Sequence, residues 1–408
     1  MSLIRPFRGL RPVPERAADV VAPPYDVLSS EEARERAAGR PWSFLHISKA
    51  EIDLPPGTDP YDPAVYAKAA ENLHKMVEAG ILRRDAQPRY YVYRLTMGDH
   101  VQTGIVAAAS VADYDSNRIR KHEFTRPAKE DDRVRQIEAL NAQTGPVLLA
   151  YRADPEIDAL IESATGKAPE YELEADDGVG HTFWVLDDPA VIERLTAGFD
   201  AMPAIYIADG HHRSAAASRV AAKLGRGPDA MSSYFLSVIF PHDQMKILDY
   251  NRVVKDLNGL SADEFLKRAG EAFGVTREDA PVSPRQAGEF GLYLDGHWYR
   301  LAIDPARIPD DPVRRLDVSL LADNLLEPVL GISDPRTDPR IDFVGGIRGL
   351  GELEKRVDSG EMAAAFSMHP TSMDDLMAVA DANEVMPPKS TWFEPKLADG
   401  LVSHVLDD

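Results

Sequence analysis

Residues 209–213, near the middle of the chain, have the side chains best suited to chemistry. They read Asp-Gly-His-His-Arg, follow a short apolar run and precede a helix-forming stretch. A strand that ends in a glycine turn and leads into a helix start presents free backbone N–H groups and the positive end of a helix dipole. Gly210 lets the backbone approach a ligand, and the Arg213 guanidinium can bind phosphate oxygens with two nitrogens. The segment predicts an anion site, with phosphate as the expected anion.

A second stretch, Arg120 to Arg133, concentrates more ionisable groups than any other window of its length. A solvated charged face explains many such runs. The mixture also suits a functional loop, because basic residues precede a proline turn, Glu123 stands alone among them and acidic residues open a helix. On this second interpretation Arg120 is a candidate phosphate ligand and Glu123 a candidate base. Both interpretations stay open.

The histidines do not match familiar metal-site spacings. His122-Glu123 lacks the second histidine of H-E-x-x-H, and the adjacent His211 and His212 cannot easily face one metal. A histidine-based zinc site is therefore not expected, and a single histidine more often satisfies a structural hydrogen bond. Asp209 is instead the candidate ligand of Mg²⁺, or the residue that orients a hydroxyl group.

Composition excludes several classes of protein. The 408 residues carry 46 basic and 67 acidic side chains, and a net charge of -21 repels nucleic acid phosphates, so no nucleic acid partner is expected. The absence of cysteine excludes disulfides, thiolate zinc sites and cysteine nucleophiles. Since no apolar segment reaches signal-peptide or membrane-spanning length, we expect a soluble cytoplasmic protein without a membrane partner.

Local patterns indicate a mixed α/β chain. An Asp-Pro start and a glycine stop predict a helix over 62–80, and alternating apolar residues predict a hairpin over 90–109. Ser29 and Ser261 each precede a glutamate by three residues, which predicts two capping boxes. The glycine-rich stretch 345–351 does not fit a dinucleotide-binding motif and is expected to be a flexible turn.

The pattern of elements changes near residue 255. We predict a phosphate-binding domain over 1–254, with an N-terminal extension, and a second α/β domain over 255–408 that closes the cleft. The loops 22–27 and 389–396 are rich in proline and aromatic residues, so they are expected to act mainly as structural locks between the domains. Lys396 and Tyr25 could still line the cleft.

The chain resembles domain-of-unknown-function family 1015 along nearly its whole length. The blocks that carry the resemblance are Arg5-Pro6-Phe7-Arg8, Ala22-Pro23-Pro24-Tyr25-Asp26-Val27, His122-Glu123-x-Thr125, Asp209-Gly210-His211-His212-Arg213 and Pro387-Pro388-Lys389-Ser390-Thr391-Trp392-Phe393-Glu394-Pro395-Lys396. The Asp-Gly-x-His-Arg signature is also similar to a box in free-serine kinases, matched here by Asp209, Gly210, His212 and Arg213. This resemblance implies a ParB/sulfiredoxin-like nucleotide-binding core.

Two activities of that wider group do not suit this chain. Sulfiredoxin chemistry needs a cysteine in the box, and ParB-type partitioning needs a helix-turn-helix and a basic surface. The resemblance therefore implies nucleotide-dependent phosphoryl transfer to a small molecule, with ATP or ADP and Mg²⁺ as cofactors and free serine as the leading acceptor. A non-catalytic nucleotide-binding regulatory module is the alternative, and a homodimer is one assembly that either function allows.

The kinase hypothesis assigns roles to eight residues. Phosphoryl transfer consists mostly of positioning and charge neutralisation, which a guanidinium, a helix N-terminus and Mg²⁺ can supply. The candidate catalytic residues are Glu123, Asp209 and His212, with Asp209 also the metal ligand. The candidate cofactor-binding residues are Gly210, His211, Arg213, Arg120 and Lys396. His211 and His212 would both contact phosphate oxygens.

Overall fold

The computed structural model describes residues 2–407, and this part of the chain has the mixed α/β character that the sequence predicts. The strands in chain order are β1 Ile4–Arg5, β2 Gly9–Pro12, β3 Leu82–Arg84, β4 Tyr90–Met97, β5 His100–Ser110, β6 Ile119–Arg120, β7 Ala142–Gln143, β8 Val147–Tyr151, β9 Tyr171–Glu174, β10 Gly180–Leu186, β11 Ile205–Asp209, β12 Tyr234–Pro241, β13 Lys246–Leu248, β14 Tyr250–Val254, β15 Phe273–Glu278, β16 Glu289–Leu294, β17 His297–Ile303, β18 Ile341–Gly345, β19 Ala364–Met368, β20 Trp392–Glu394 and β21 Ser403–Val405. The α-helices are α1 Ala17–Val20, α2 Ser30–Ala37, α3 Leu45–Ser48, α4 Pro63–Glu78, α5 Val111–Asp115, α6 Pro127–Leu140, α7 Pro155–Ser163, α8 Pro189–Ala201, α9 His211–Leu224, α10 Ala262–Ala269, α11 Asp317–Leu321, α12 Leu350–Asp358 and α13 Met373–Asp381.

The chain divides into two compact units whose limits differ from the predicted domains 1–254 and 255–408. The first unit contains the chain up to Met245 and again from Pro395 onward, and the second is Lys246–Glu394. Strand β14 belongs to the second unit because it pairs with β18 and β19. Strand β21 belongs to the first because it pairs with β2 and β7. That the second domain closes a cleft stays a prediction.

A large mixed sheet forms the centre of the first unit. Its strand order is β6-β11-β8-β12-β5-β4-β10-β9, and β1 pairs with β5. The β4–β5 hairpin confirms the prediction, with Met97 opposite His100 across a turn in which Gly98 has φ +58°. Apolar residues of β5, β8, β11 and β12 fill the core, including Ile105, Leu149 and Ile207. This buried sheet is the rigid support for the ends of β11 and β6.

The helix predicted over 62–80 is α4, which has Asp62 as its N-cap. Both predicted capping boxes, at Ser29 and Ser261, are present. Between residues 2 and 407, no helix combines the length and the apolar character that crossing a membrane requires.

A six-stranded sheet, in the order β15-β17-β16-β19-β14-β18, organises the described residues of the second unit. Helix α12 packs on it through Leu353, beside Val253 and Trp298. The stretch 345–351 was expected to be a flexible turn, but Gly345 and Gly346 instead allow neighbouring groups to pack closely against the backbone. A Cβ on Gly345 would lie 2.7 Å from the Trp392 ring, and one on Gly346 would lie 2.1 Å from Asp249.

Candidate functional site

The sequence Asp-Gly-His-His-Arg links β11 to α9, as predicted. The register between β11 and β8 shifts between Ile207 and Asp209, and such a bulge redirects the side chain at the end of the strand. Gly210 then has φ +99°, a conformation that favours glycine, and a Cβ there would lie 2.9 Å from Arg213 Nη2. The described residues place no side-chain cap on the N-terminus of α9. The turn therefore presents an uncapped helix start beside a guanidinium group.

Arg213 lies among carboxylates. Its Nη1 is 3.4 Å from Asp26 Oδ2 and its Nη2 is 3.4 Å from Asp209 Oδ2. Burial lowers the pKa of Arg213, but the nearby carboxylates outweigh burial and hold it above its ordinary value. The buried Nε has no hydrogen-bond partner among residues 2–407. The guanidinium is thus fixed in charge and position, and its Nε–H is left to donate.

Asp26 and Tyr25 reach this site from the 22–27 loop, which sequence reasoning treated mainly as a structural lock. The Tyr25 ring lies 3.9 Å below the guanidinium of Arg133, and the charge of Arg213 acts on the same phenol. The loop is also fixed by the backbone bridge between Ala22 and Asp399. The signal that could have found Asp26 was its place in a block shared with the resembled family.

Asp399 is a further carboxyl group that the sequence prediction missed. It is 2% exposed, and burial raises its pKa to about 7, with Arg213 opposing the shift and Asp26 adding to it. It borders a cavity of about 30 Å³, large enough for one or two water molecules. Among the lining residues are Tyr25, Ser48, Arg133, Thr144, Arg213 and Asp399. A small cavity with both polar and apolar lining therefore borders Arg213 and Asp399.

Asp209 is placed for charge pairing. Burial raises its pKa, but Arg213 and Lys396 outweigh that effect and hold the pKa below its usual value. A carboxylate that already faces two cations is a poor additional ligand for Mg²⁺. The structure brings Asp209, Arg213 and Lys396 together, and the role of Asp209 as a Mg²⁺ ligand stays a prediction.

The two histidines of the motif anchor the loop over 121–126. His211 Nε2 accepts a hydrogen bond from the His122 backbone N–H at 3.3 Å, and His212 Nε2 accepts one from the Arg126 N–H at 3.0 Å. Burial lowers the pKa of both rings, with neighbouring cations adding to the effect, so both are neutral at pH 7. An accepting Nε2 leaves the proton on Nδ1, which can still donate to a phosphate oxygen.

Glu123 and Phe124 project from this anchored loop. The side chain of Glu123 is 59% exposed, and its Oε2 lies 3.9 Å from His211 Nδ1. Phe124 is 72% exposed. Glu123 therefore approaches the motif from the side of His211, whereas Asp26 and Asp209 are the carboxylates paired with Arg213.

His122 completes a cluster with Glu123 and His211 that the sequence did not predict. One potential ligand atom from each of the three lies within 4.8 Å of the others, close enough for the three to converge on a metal ion. The rings of His122 and His211 meet edge to face at 4.5 Å. The expectation of no histidine-based metal site rested on residues close in sequence, whereas this cluster joins the segment after β6 to the start of α9, next to the paired strands β6 and β11.

Arg120 lies on the strand next to the one that leads into the motif. It lies opposite Tyr206 on the neighbouring strand, three positions before Asp209, and its guanidinium is 6.0 Å from the centre of the Tyr206 ring. Its place among the phosphate ligands stays a prediction.

Known proteins resemble this chain at two levels. Similar solved structures include a free serine kinase in complex with AMP, at 14% identity over 71% of this chain and 86% of that one, with a TM-score of 0.35. A conserved hypothetical protein from Pyrococcus furiosus is 15% identical over 72% of this chain and 94% of that one, with a TM-score of 0.34. SbnI with a C-terminal truncation, from Staphylococcus aureus, is 11% identical over 72% of this chain and 84% of that one, with a TM-score of 0.36.

TM-scores of this size carry no activity over to this chain. No curated protein gives a significant match to the sequence. The model of a family described as "Protein of unknown function (DUF1015)" matches residues 4–319, most of the chain. The resemblance expected from the sequence blocks is confirmed, and the chain belongs to the DUF1015 family.

Proposed function

We propose that this protein is a nucleotide-dependent small-molecule kinase that transfers a phosphoryl group at the 209–213 loop. The observation that carries the proposal is Arg213, a buried guanidinium with an Nε–H that lacks a partner among the described residues, beside the uncapped start of α9. A phosphate group could accept from that N–H and from the backbone N–H groups of the first helical turn. The likeness of the Asp-Gly-x-His-Arg box to free-serine kinases makes free serine the first acceptor to test.

The transfer itself asks little covalent chemistry of the protein. The acceptor hydroxyl oxygen forms a bond to the terminal phosphorus of ATP as the bond from that phosphorus to the bridging oxygen breaks, and ADP leaves. With ADP as donor, the β-phosphorus is attacked and AMP leaves. A Mg²⁺ ion bound to the nucleotide phosphates would neutralise part of their charge. Arg213 and the helix N-terminus would position the phosphoryl group and stabilise its charge in the transition state.

Two carboxylates could take the hydroxyl proton. Glu123, predicted from the sequence, is exposed and lies beside the neutral His211. Asp26, added by the structure, faces Arg213 and therefore lies nearer the place where phosphate would bind. A base must be within hydrogen-bond reach of the acceptor hydroxyl, so the two are distinguished by Glu123→Gln and Asp26→Asn in the same assay.

One observation favours a nucleotide-binding regulatory module without turnover. Asp26 and Asp209 are both paired with Arg213, and Arg213 and Lys396 hold the pKa of Asp209 below its usual value, which makes Asp209 a weaker base. In that case nucleotide would bind tightly, Glu123→Gln and Asp26→Asn would leave affinity unchanged, and no phosphorylated product would form.

Phosphorus NMR tests the kinase directly. The purified full chain is incubated with serine, Mg²⁺ and either ATP or ADP, and we expect a phosphoserine resonance with matching loss of the donor. Arg213→Ala should reduce the rate to background. Arg219→Ala is the matched control, because Arg219 lies on the same helix but pairs with Glu130 and Asp131 at the surface. No more phosphoserine from the wild type than from Arg213→Ala would overturn the proposal.

A further inference from the structure

His122 has a buried nitrogen whose hydrogen-bonding capacity is unused. Its side chain donates to the Ile207 carbonyl, while Nδ1 has no partner within residues 2–407. The residue is 3% exposed. Leaving a buried polar atom unsatisfied destabilises the folded chain, so such an atom calls for a ligand. The Ile207 carbonyl also fixes the ring, which is how outer hydrogen bonds orient metal-binding histidines.

Two further side chains offer ligand atoms near the His122 ring. One ligand atom each from His122, Glu123 and His211 lies within 4.8 Å of the other two, and Glu123 Oε2 is 3.9 Å from His211 Nδ1. In a tetrahedral zinc site the ligand atoms are about 3.3 Å apart. A contraction of up to about 1.5 Å, from the 4.8 Å limit to this spacing, would bring the three atoms to the geometry of a tetrahedral site. Because the Glu123 side chain is 59% exposed, it can make most of that movement.

His211 must change tautomer to bind a metal through Nδ1. Its Nε2 now accepts from the His122 backbone N–H, which places the proton on Nδ1. Transfer of that proton to Nε2 frees the Nδ1 lone pair and gives up one hydrogen bond. The change also turns an Nε2–H toward the His122 backbone N–H, so two buried donors lose their partner, and metal coordination must outweigh that penalty.

We infer that His122, Glu123 and His211 form a site for a divalent transition-metal ion, with Zn²⁺ the first choice. Two imidazole nitrogens and one carboxylate oxygen suit Zn²⁺ or Co²⁺, whereas Mg²⁺ prefers oxygen ligands. Three protein ligands with one side open to solvent leave a coordination position for water or for an anion oxygen. This assignment goes beyond the proposed kinase. It makes Glu123 a metal ligand, so Asp26 is then the remaining candidate for the base that takes the hydroxyl proton.

Metal binding is measured without nucleotide or serine, so its result does not depend on kinase activity. The full chain is stripped with a chelator and titrated with Co²⁺, whose visible absorption reports coordination, and Zn²⁺ is then added as competitor. We expect one Co²⁺ per chain, displaced by Zn²⁺. Glu123→Gln should weaken binding by about tenfold or more, and His122→Asn should abolish it. His212→Gln is the control and should leave affinity unchanged, because His212 contacts the backbone of Arg126 instead.

The exposed Glu123 makes the test robust to misfolding. If His122→Asn does not fold, as judged by circular dichroism, Glu123→Gln alone decides, since its side chain is mostly in solvent. Failure of the wild type to bind either ion at about millimolar concentration would overturn the inference. So would Co²⁺ affinity that is equal in the wild type and in Glu123→Gln. Phosphoserine formation without metal binding would leave the kinase intact and remove only this site.

Discussion

Arg213 in the first unit and Arg252 in the second are both largely removed from solvent. Carboxylates surround Arg213, whereas the described contacts of Arg252 are uncharged groups. The Arg213 side chain is 12% exposed and pairs with Asp26 and Asp209. Arg252 is 4% exposed, lies over the Phe343 ring and donates to the carbonyls of Tyr250 and Pro388. Burial lowers the pKa of Arg252 to about 10, whereas carboxylates hold that of Arg213 above its ordinary value.

The contrast shows what distinguishes a site from a buried cation. Carboxylates around Arg213 keep its charge, fix its direction and leave Nε–H to donate to an anion. The described contacts of Arg252 are carbonyl oxygens and an aromatic ring, which tolerate a cation without compensating it. Substitutions at Arg213, Gly210, Asp399 and Arg252 each change one side of this comparison.

Replacement of Arg213 should have the largest effect. Arg213→Met leaves the carboxyl groups of Asp26 and Asp209 without their cation. We therefore expect the free energy of unfolding to fall by about 3 kcal/mol or more. Nucleotide affinity should fall with it. Urea unfolding and calorimetry measure the two quantities.

Arg219→Met supplies the matched control on α9. Its ion pairs with Glu130 and Asp131 are more exposed and should contribute less than about 1 kcal/mol. Equal losses of stability for the two variants would remove the distinction between Arg213 and an ordinary surface arginine.

Gly210 should be the next most sensitive position, because it gives Arg213 room. Gly210→Ala forces a Cβ into a φ of +99° and to within 2.9 Å of Arg213 Nη2, so we expect a loss of about 2 kcal/mol and weaker nucleotide binding. Gly225, at the other end of α9, has φ +58° and open space around it. Gly225→Ala should lose only about 1 kcal/mol and leave nucleotide affinity unchanged.

The sequence predicted those features that depend on neighbouring residues. The cap at Asp62, the hairpin over 90–109 and the turn at Gly210 are encoded within a few positions, and each is present. The partners of the site are not local. Asp26 and Arg213 are 187 residues apart, and His122 and His211 are 89 apart. Their contacts depend on strand order and on loop packing, which residue periodicity does not specify.

Asp399 should make stability depend on pH. Its carboxyl titrates near 3.8 when unfolded and at about 7 when folded, since burial disfavours its charge. Between these values the native state holds a proton that the unfolded chain has released, so this group's contribution to stability falls as pH rises from about 4 to about 7.

Asp399→Asn removes that dependence. We expect its stability relative to the wild type to improve by about 1 kcal/mol or more between about pH 5 and pH 8, measured by urea unfolding. Asp310→Asn, at an exposed position, should show no such trend. A flat difference for Asp399→Asn would mean that Arg213 keeps this third carboxyl ionised at neutral pH.

Arg252→Met should have the smallest effect, and its sign is the sharpest test of the comparison. A methionine of similar length fills the same space against Phe343, and the carbonyls of Tyr250 and Pro388 lose a donor. Against that loss, the variant no longer buries a cation that lacks a described carboxylate partner, so the free energy of unfolding should be unchanged or slightly higher. Thermal unfolding of Arg252→Met beside Arg213→Met measures the difference. A loss as large as that of Arg213→Met would mean that Arg252 is compensated by a bound anion, and protection of the wild type by added phosphate would then identify it.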